Sequence, residues 1–135
     1  MKAKELIINK SKVVTLYSDM TIKEALDTVL KSNLSCIPVL ERDSKRYLYS
    51  ISAYGLLRKI SEGDKEKVYE EPVSKVLVER LLVPCRIDTD ARSLVDLVVN
   101  QNFVPIVDEK GIFQGIVTRK AVINYLVDIV DRNEE

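Results

Sequence analysis

The chain has 135 residues, 46% of them hydrophobic and 31% charged, which is enough to bury one core or two half-size lobes that share a core. Its 21 basic and 21 acidic residues cancel, so no overall field attracts nucleic acid or an anionic membrane and any cationic site must be local. Without histidine or a CxxC pair it cannot assemble a zinc site or a Cys–His nucleophile. Because no apolar run is long enough for a membrane span or a signal segment, we expect a cytoplasmic protein.

The first half of the chain predicts a β-prone segment, an amphipathic helix, two strands and a second helix. In chain order these elements cover residues 12–16, 21–30, 36–40, 47–51 and 52–62. Thr21 and Glu24 form a capping box at the start of the first helix. The stripe of apolar residues along that helix has the period of an amphipathic helix, and the two strands are typical of a hairpin.

The second half of the chain repeats this order of elements. The corresponding residues are 83–87, 91–100, 103–107, 112–117 and 118–131. Ile37-Pro38-Val39 matches Val104-Pro105-Ile106 at an offset of 67 residues, and Ile51-Ser52 matches Val117-Thr118 at 66. The distance from helix to proline is two residues shorter in the second copy, which predicts a shortened turn near Gln101 and Asn102.

A polar stretch separates the two copies and predicts a linker over residues 63–71. Pro72 then predicts a helix start that leads into residues 73–78. We therefore expect a first unit over residues 1–62 and a second unit over residues 72–135. Neither unit of about 60 residues buries enough surface to be stable by itself, so the two units should pack against each other.

These landmarks resemble the tandem cystathionine-β-synthase (CBS) domain family, whose paired form is called a Bateman module. The resemblance is carried by Gly115-Ile116-Val117-Thr118-Arg119 after Val104-Pro105-Ile106, and by Tyr49-Ser50-Ile51-Ser52 after Ile37-Pro38-Val39. It implies an α/β fold of two β-α-β-β-α units packed pseudo-symmetrically into one module. It also implies a sensor that holds adenosine-type ligands in clefts between the copies, and a homodimer. Apolar residues such as Leu57, Val127 and Val130 make the apolar faces of the helices wider than packing within one chain would cover. This excess apolar surface also favours association.

The chain departs from the family's mononucleotide pattern at two positions. Members that hold AMP or ATP usually carry an aspartate three residues after the serine or threonine, where it accepts hydrogen bonds from ribose. Here those positions are Gly55 and Ala121, so a charge-assisted contact of about 1.5–3 kcal/mol is lost.

A narrower resemblance links residues 100–108 and 113–120 to CBS-pair proteins of Gram-positive bacteria that bind cyclic di-AMP. It implies that the apo protein binds a (p)ppGpp synthetase/hydrolase or a metabolic enzyme such as pyruvate carboxylase, and that the nucleotide releases this partner.

A site for cyclic di-AMP must neutralise two phosphodiesters and enclose two adenines. Thr118, Arg119 and Lys120 lie where a strand meets a helix, so backbone N–H groups, the positive helix end and the side chains favour phosphate there. Lys12 could add a point charge. Apolar walls and backbone edges for adenine are predicted from Val13, Val14, Leu34, Ser35, Cys36 and Ile37. Each of these residues also has an ordinary structural interpretation, with Thr118 a helix cap and the apolar residues core.

Two alternatives to cyclic di-AMP sensing stay open. The chain could be an AMP, ADP or ATP regulator with other ribose contacts, or a ligand-free CBS interaction module. An enzyme is disfavoured, because no glycine-rich phosphate loop and no nucleophile elbow occur in the sequence. We also expect Arg119→Ala to abolish nucleotide stabilisation while leaving the melting of the apo protein nearly unchanged.

Overall fold

The computed structural model describes residues 1–78 and 80–134. Within them the strands are β1 (Ile8–Asn9), β2 (Leu16–Tyr17), β3 (Cys36–Leu40), β4 (Tyr47–Ser52), β5 (Cys85–Arg86), β6 (Phe103–Val107) and β7 (Phe113–Thr118). The α-helices are α1 (Ile22–Ser32), α2 (Ala53–Ser61), α3 (Lys65–Glu70), α4 (Ala91–Val98) and α5 (Arg119–Glu134). Single 3-10 turns cover Ala3–Glu5, Lys10–Lys12 and Val73–Lys75. The predicted repeat of strand, helix, hairpin and helix is confirmed.

The chain divides into two compact units. Unit A is Val14–Leu81, and unit B combines Met1–Val13 with Leu82–Glu135. Unit A holds a sheet of order β2-β3-β4, and unit B holds a sheet of order β1-β7-β6-β5. In each unit the short entering strand is parallel to the first hairpin strand, and the hairpin strands are antiparallel.

Side-chain caps fix the starts of the helices. The Thr21 hydroxyl accepts the N–H of Glu24 at 3.1 Å, which is one of the two bonds of the predicted capping box. The Glu24 carboxylate accepts from the Thr21 hydroxyl at 3.2 Å. Asp90 caps α4 in the same way by accepting the N–H of Ser93 at 2.9 Å. The two copies therefore begin their first helix with equivalent contacts and different side chains.

Each unit has its own apolar core. The fully buried members of the unit A core come from α1, α2, the sheet and the segment after α3: Leu16, Ile22, Ala25, Ile37, Val39, Leu56 and Val73. The unit B core contains Ala3, Leu94, Val104, Ile106, Val117 and Val122. Paired positions exchange isoleucine and valine, since Ile37 and Val39 of unit A match Val104 and Ile106 of unit B. Such swaps conserve the summed volume, which cores tolerate well.

The first residues of the chain pack with the second repeat. In unit B the N–H of Ala91 donates to the Met1 carbonyl at 3.0 Å, and the N–H of Ala3 donates to the Thr89 carbonyl at 2.8 Å. Unit A makes the same two bonds further along the chain. There Ile22 donates to Glu71 and Val73 donates to Met20, both at 2.8 Å. Residues 1–6 of unit B and residues 71–76 of unit A are therefore equivalent segments, each hydrogen-bonded to the start of the first helix of its unit.

Several local expectations are corrected by the structure. Residues 65–70, inside the predicted linker 63–71, form α3, whose Val68 is 5% exposed. The helix predicted after Pro72 is a single 3-10 turn. The β-prone segment 12–16 contributes only its last residue to β2. The predicted repeat boundaries at residues 62 and 72 stay a prediction. They describe the sequence repeat, whereas the compact units are divided after Val13 and Leu81.

The shortening of the second copy lies in the helix, not in the turn. Helix α4 has 8 residues and α1 has 11, whereas four residues connect α4 to β6 and three connect α1 to β3. The second copy therefore loses the last turn of its helix. This loss leaves the carboxyl end of α4 open to contacts from elsewhere in unit B.

Candidate functional site

The start of α5 carries three of the predicted site residues. Strand β7 ends at Thr118 and α5 begins at Arg119 without an intervening loop. The Thr118 hydroxyl accepts the N–H of Ala121 at 3.1 Å, so it caps the helix. The N–H of Arg119 donates to the Asn102 carbonyl at 2.9 Å. A strand that passes directly into a capped helix holds Thr118, Arg119 and Lys120 close together, as the sequence predicted.

The Arg119 side chain is not free in solvent. It is half-buried, and its Nε donates to the carbonyl oxygen of Val98, the last residue of α4, at 2.7 Å. A cation at the carboxyl end of a helix is favourable, since the unpaired carbonyls there carry partial negative charge. The expectation that Arg119→Ala leaves the melting of the apo protein nearly unchanged is therefore replaced by an expected loss of about 1–2 kcal/mol.

The two lysines of the predicted site are both exposed, but they lie in different parts of unit B. Lys120 follows Arg119 in the first turn of α5. Lys12 ends the 3-10 turn after β1. Because β1 runs antiparallel to β7 with Asn9 opposite Gly115, the chain beyond Asn9 continues toward the Phe113 end of β7. That end is about 17 Å from Thr118 along a strand of this length, so the register directs Lys12 away from the start of α5.

The predicted adenine walls come from both units. Val13 is half-buried in unit B, whereas Val14 and Leu34 belong to unit A and are 37% and 42% exposed. Ile37 is only 1% exposed, so it is a core residue of unit A and offers no surface to a ligand.

Ser35 and Cys36 lie beside the start of α2. The N–H of Ala53 donates to the Ser35 carbonyl at 2.8 Å, which repeats the bond between Arg119 and Asn102 in unit B. Burial raises the pKa of the Cys36 thiol, so the thiol stays protonated at neutral pH and is a poor nucleophile.

Unit A thus holds its own equivalent of the strand-to-helix site, which the sequence did not single out. Ser52 caps α2 by accepting the N–H of Gly55 at 2.9 Å. A Cβ on Gly55 would lie 3.2 Å from the Ser52 hydroxyl and 3.5 Å from the Leu77 carbonyl oxygen. A carboxylate there would face a carbonyl oxygen, so the missing aspartate agrees with the local packing. A small depression beside it is lined by Gly55, Arg58, Lys59, Glu62, Lys75 and Leu77.

Gln101 is a second residue whose importance the sequence did not reveal. It is 6% exposed, and its Oε1 accepts the N–H of Val83 at 2.8 Å while its Nε2 donates to the Phe103 carbonyl at 3.0 Å. The side chain thereby ties the chain entering β5 to the start of β6. A lone glutamine in a polar turn gives no signal of such a role.

The CBS domain family model matches residues 3–62 and 73–128. The chain belongs to the CBS-domain family. Its α/β fold is that of two CBS units, the tandem arrangement known as a Bateman module. Within the described residues, no helix combines the length and apolarity needed to cross a bilayer.

An uncharacterized protein from Methanocaldococcus jannaschii is 26% identical to this chain over an alignment of 141 positions, which covers 95% of the chain. The chain spans half the length of that relative.

Solved CBS structures share the fold. A CBS domain-containing protein of unknown function from Bacillus anthracis is 26% identical with a TM-score of 0.81, covering 95% of this chain and 94% of its own. The protein CbpB in complex with c-di-AMP has a TM-score of 0.88 at 15% identity, covering 99% and 89%. The Arabidopsis thaliana CBS-pair protein CBSX2, solved in complex with AMP, has a TM-score of 0.76 at 19% identity, covering 95% and 97%.

Proposed function

We propose that this CBS pair is a nucleotide-sensing regulatory module whose ligand is cyclic di-AMP, and that the ligand controls binding to a target protein. The observation that carries the proposal is the start of α5, where a capped helix end presents Arg119 and Lys120 together. Two cations at the positive end of a helix suit a phosphodiester. Cyclic di-AMP is an adenine nucleotide with two such groups.

The absence of a carboxylate at positions 55 and 121 favours a cyclic dinucleotide over a mononucleotide. A ribose in AMP or ATP has two free hydroxyls, which an aspartate can hold together. In cyclic di-AMP the 3′ oxygen of each ribose belongs to the phosphodiester, so only the 2′ hydroxyl remains. Because Gly55 and Ala121 have no carboxylate, they cannot accept hydrogen bonds from ribose hydroxyls, and each ribose of cyclic di-AMP has fewer of these hydroxyls than the ribose of AMP or ATP.

The complexes of two structural neighbours agree with an adenine nucleotide. CbpB was solved with c-di-AMP and CBSX2 with AMP. These two complexes therefore make cyclic di-AMP and AMP the first ligands to compare for this chain.

Thermal unfolding with cyclic di-AMP, cyclic di-GMP, AMP and ATP at matched concentrations tests the proposal. At a free ligand concentration of 100 times Kd, binding adds about 2.7 kcal/mol, or about 10 °C for a chain of this size. We expect cyclic di-AMP to give the largest shift. A larger shift with AMP or ATP would replace cyclic di-AMP by a mononucleotide, and no shift with any nucleotide would favour a ligand-free interaction module.

Arg119→Ala is expected to remove the cyclic di-AMP shift. Because Arg119 also caps α4, the shift must be measured as the difference with and without ligand for the same variant. Arg92→Ala is the matched control, since Arg92 lies in the first turn of α4 and the pair it forms with Asp96 is highly exposed. A full ligand shift in Arg119→Ala would remove Arg119 from the site.

The target protein and the homodimer belong to the same proposal. Leu57, Val127 and Val130 are 57%, 49% and 52% exposed, which leaves apolar surface on α2 and α5 for association. A (p)ppGpp synthetase/hydrolase and pyruvate carboxylase are the targets to try first, by binding assays with and without cyclic di-AMP.

A further inference from the structure

The two units close the carboxyl ends of their first helices by different means. In unit A, α1 is followed by the capping residue Asn33, which has the left-handed conformation (φ 55°) and donates its N–H to the Val29 carbonyl at 2.9 Å. This is a common helix end that needs no outside partner. The equivalent end in unit B is built differently.

In unit B, α4 is followed by Val99, which keeps a right-handed conformation (φ −58°). The N–H groups of Asn100 and Gln101 both donate to the Leu97 carbonyl at 3.1 Å. The Val98 carbonyl accepts instead from the Arg119 guanidinium. The side chain at the start of α5 therefore takes the place of the helix turn that α4 lacks.

The described residues of unit A hold no counterpart of this contact. The backbone of Ala53 makes the same bond to Ser35 that Arg119 makes to Asn102, so Ala53 is the equivalent position. Alanine has no donor to reach back to α1. Among the described residues, unit B alone connects the end of its first helix to the start of its second through a cation.

We propose that the Val98 carbonyl positions the Arg119 guanidinium for an anionic ligand, so that ligand binding and the order at the end of α4 are coupled. The bond uses Nε, and in the part of the chain that the structure describes the guanidinium has no other hydrogen-bond partner. Its two terminal nitrogens form the edge that can hold a phosphate with two parallel bonds. A guanidinium that is already oriented loses less freedom when the ligand binds.

The coupling rests on the proposed function, because it gives Arg119 its ligand. By linkage, a ligand that favours the oriented guanidinium must also stabilise the contact that orients it. Arg119 thus binds the ligand, and Val98 acts as a positioning residue through its main chain. A role confined to holding α4 would leave ligand affinity unaffected when the positive charge is kept.

The test compares wild type with Arg119→Lys, Arg119→Ala and the control Arg92→Lys on the full chain, with cyclic di-AMP as the probe. We expect Arg119→Lys, which keeps the charge and loses the forked geometry, to weaken binding about tenfold. Arg92→Lys should bind as wild type does. Wild-type affinity in Arg119→Lys overturns the inference.

Amide hydrogen exchange at Asn100 and Gln101 gives the second readout. We expect cyclic di-AMP to slow exchange of these amides several-fold in wild type, and Arg119→Ala to speed it in the apo protein. Unchanged exchange in wild type on ligand binding overturns the coupling. If wild type binds no nucleotide, the proposed function fails together with the coupling, and faster exchange in apo Arg119→Ala then identifies a structural cap alone.

Discussion

Units A and B share one plan of elements but differ at one edge of the sheet. In unit B, β1 covers the outer edge of β7, whereas in unit A no described residue pairs with the outer edge of β4. Gly115 of β7 pairs with Ile106, and Tyr49 of β4 pairs with Val39, so Gly115 and Tyr49 are equivalent. A Cβ on Gly115 would lie 2.1 Å from the Ile8 carbonyl oxygen. Glycine at this one position thus permits the additional strand.

The segments packed beside the start of each first helix are instead alike in the two units. Residues 1–6 and 71–76 differ in sequence, yet they make matching backbone bonds in their units. Ala3 and Val73 both lie fully buried at equivalent places in these segments. The backbone pattern is therefore shared, while the size of the buried side chain is set separately in each unit.

The largest expected effect comes from Gly115→Ala. The added methyl group cannot occupy a position 2.1 Å from a backbone oxygen, and a φ of +150° is unfavourable for alanine. Strand β1 must move, and we expect a loss of about 3 kcal/mol in the free energy of unfolding, measured by urea denaturation. Gly63→Ala is the control, since its Cβ would meet only Val68 at 3.8 Å. Equal stability of the two variants would refute the role assigned to Gly115.

A swap at the lead segments gives the next effect. Val73→Ala introduces the unit B residue into unit A and should cost about 2 kcal/mol, because the side chain is fully buried. The reverse swap, Ala3→Val, overfills the unit B core at a cost of about 1–3 kcal/mol. Val127→Ala, at a residue 49% exposed, should change stability by less than about 0.5 kcal/mol. If both swaps proved neutral in urea denaturation, the two segments would not be packed as described.

The smallest effect concerns the two helix ends. Asn33→Ala places alanine in the left-handed region and should cost about 1 kcal/mol, whereas Asn33→Gly should be neutral or slightly stabilising. Differential scanning calorimetry of the two variants checks the sign. A stabilising Asn33→Ala would mean that α1, like α4, does not depend on a left-handed residue at its end.

The sequence predicted most of what lies within one repeat. The runs Cys36–Leu40 and Phe103–Val107 are strands with the predicted bounds, and the capping contact of Thr21 is confirmed. Helix ends were less accurate, and α3 was missed because its six residues are mostly charged and contain a single buried side chain, Val68. Short polar helices have little periodicity to detect.

The positions of the proposed site residues follow only in part from the sequence. Thr118, Arg119 and Lys120 lie together because they are adjacent in sequence and a strand passes directly into a helix there. The placement of Lys12 depends on the register between β1 and β7, and the burial of Ile37 depends on the core around it. Neither the placement of Lys12 nor the burial of Ile37 can be predicted from the residues next to it in sequence.

By itself the sequence determined the duplicated order of elements, because hydrophobic period, turn residues and caps act over a few residues. Only the tertiary structure decided that the first thirteen residues complete the second repeat, and that Arg119 closes the end of α4. Both depend on contacts between segments far apart along the chain. Such contacts form where backbone groups remain unpaired and core space remains unfilled after the local elements have formed.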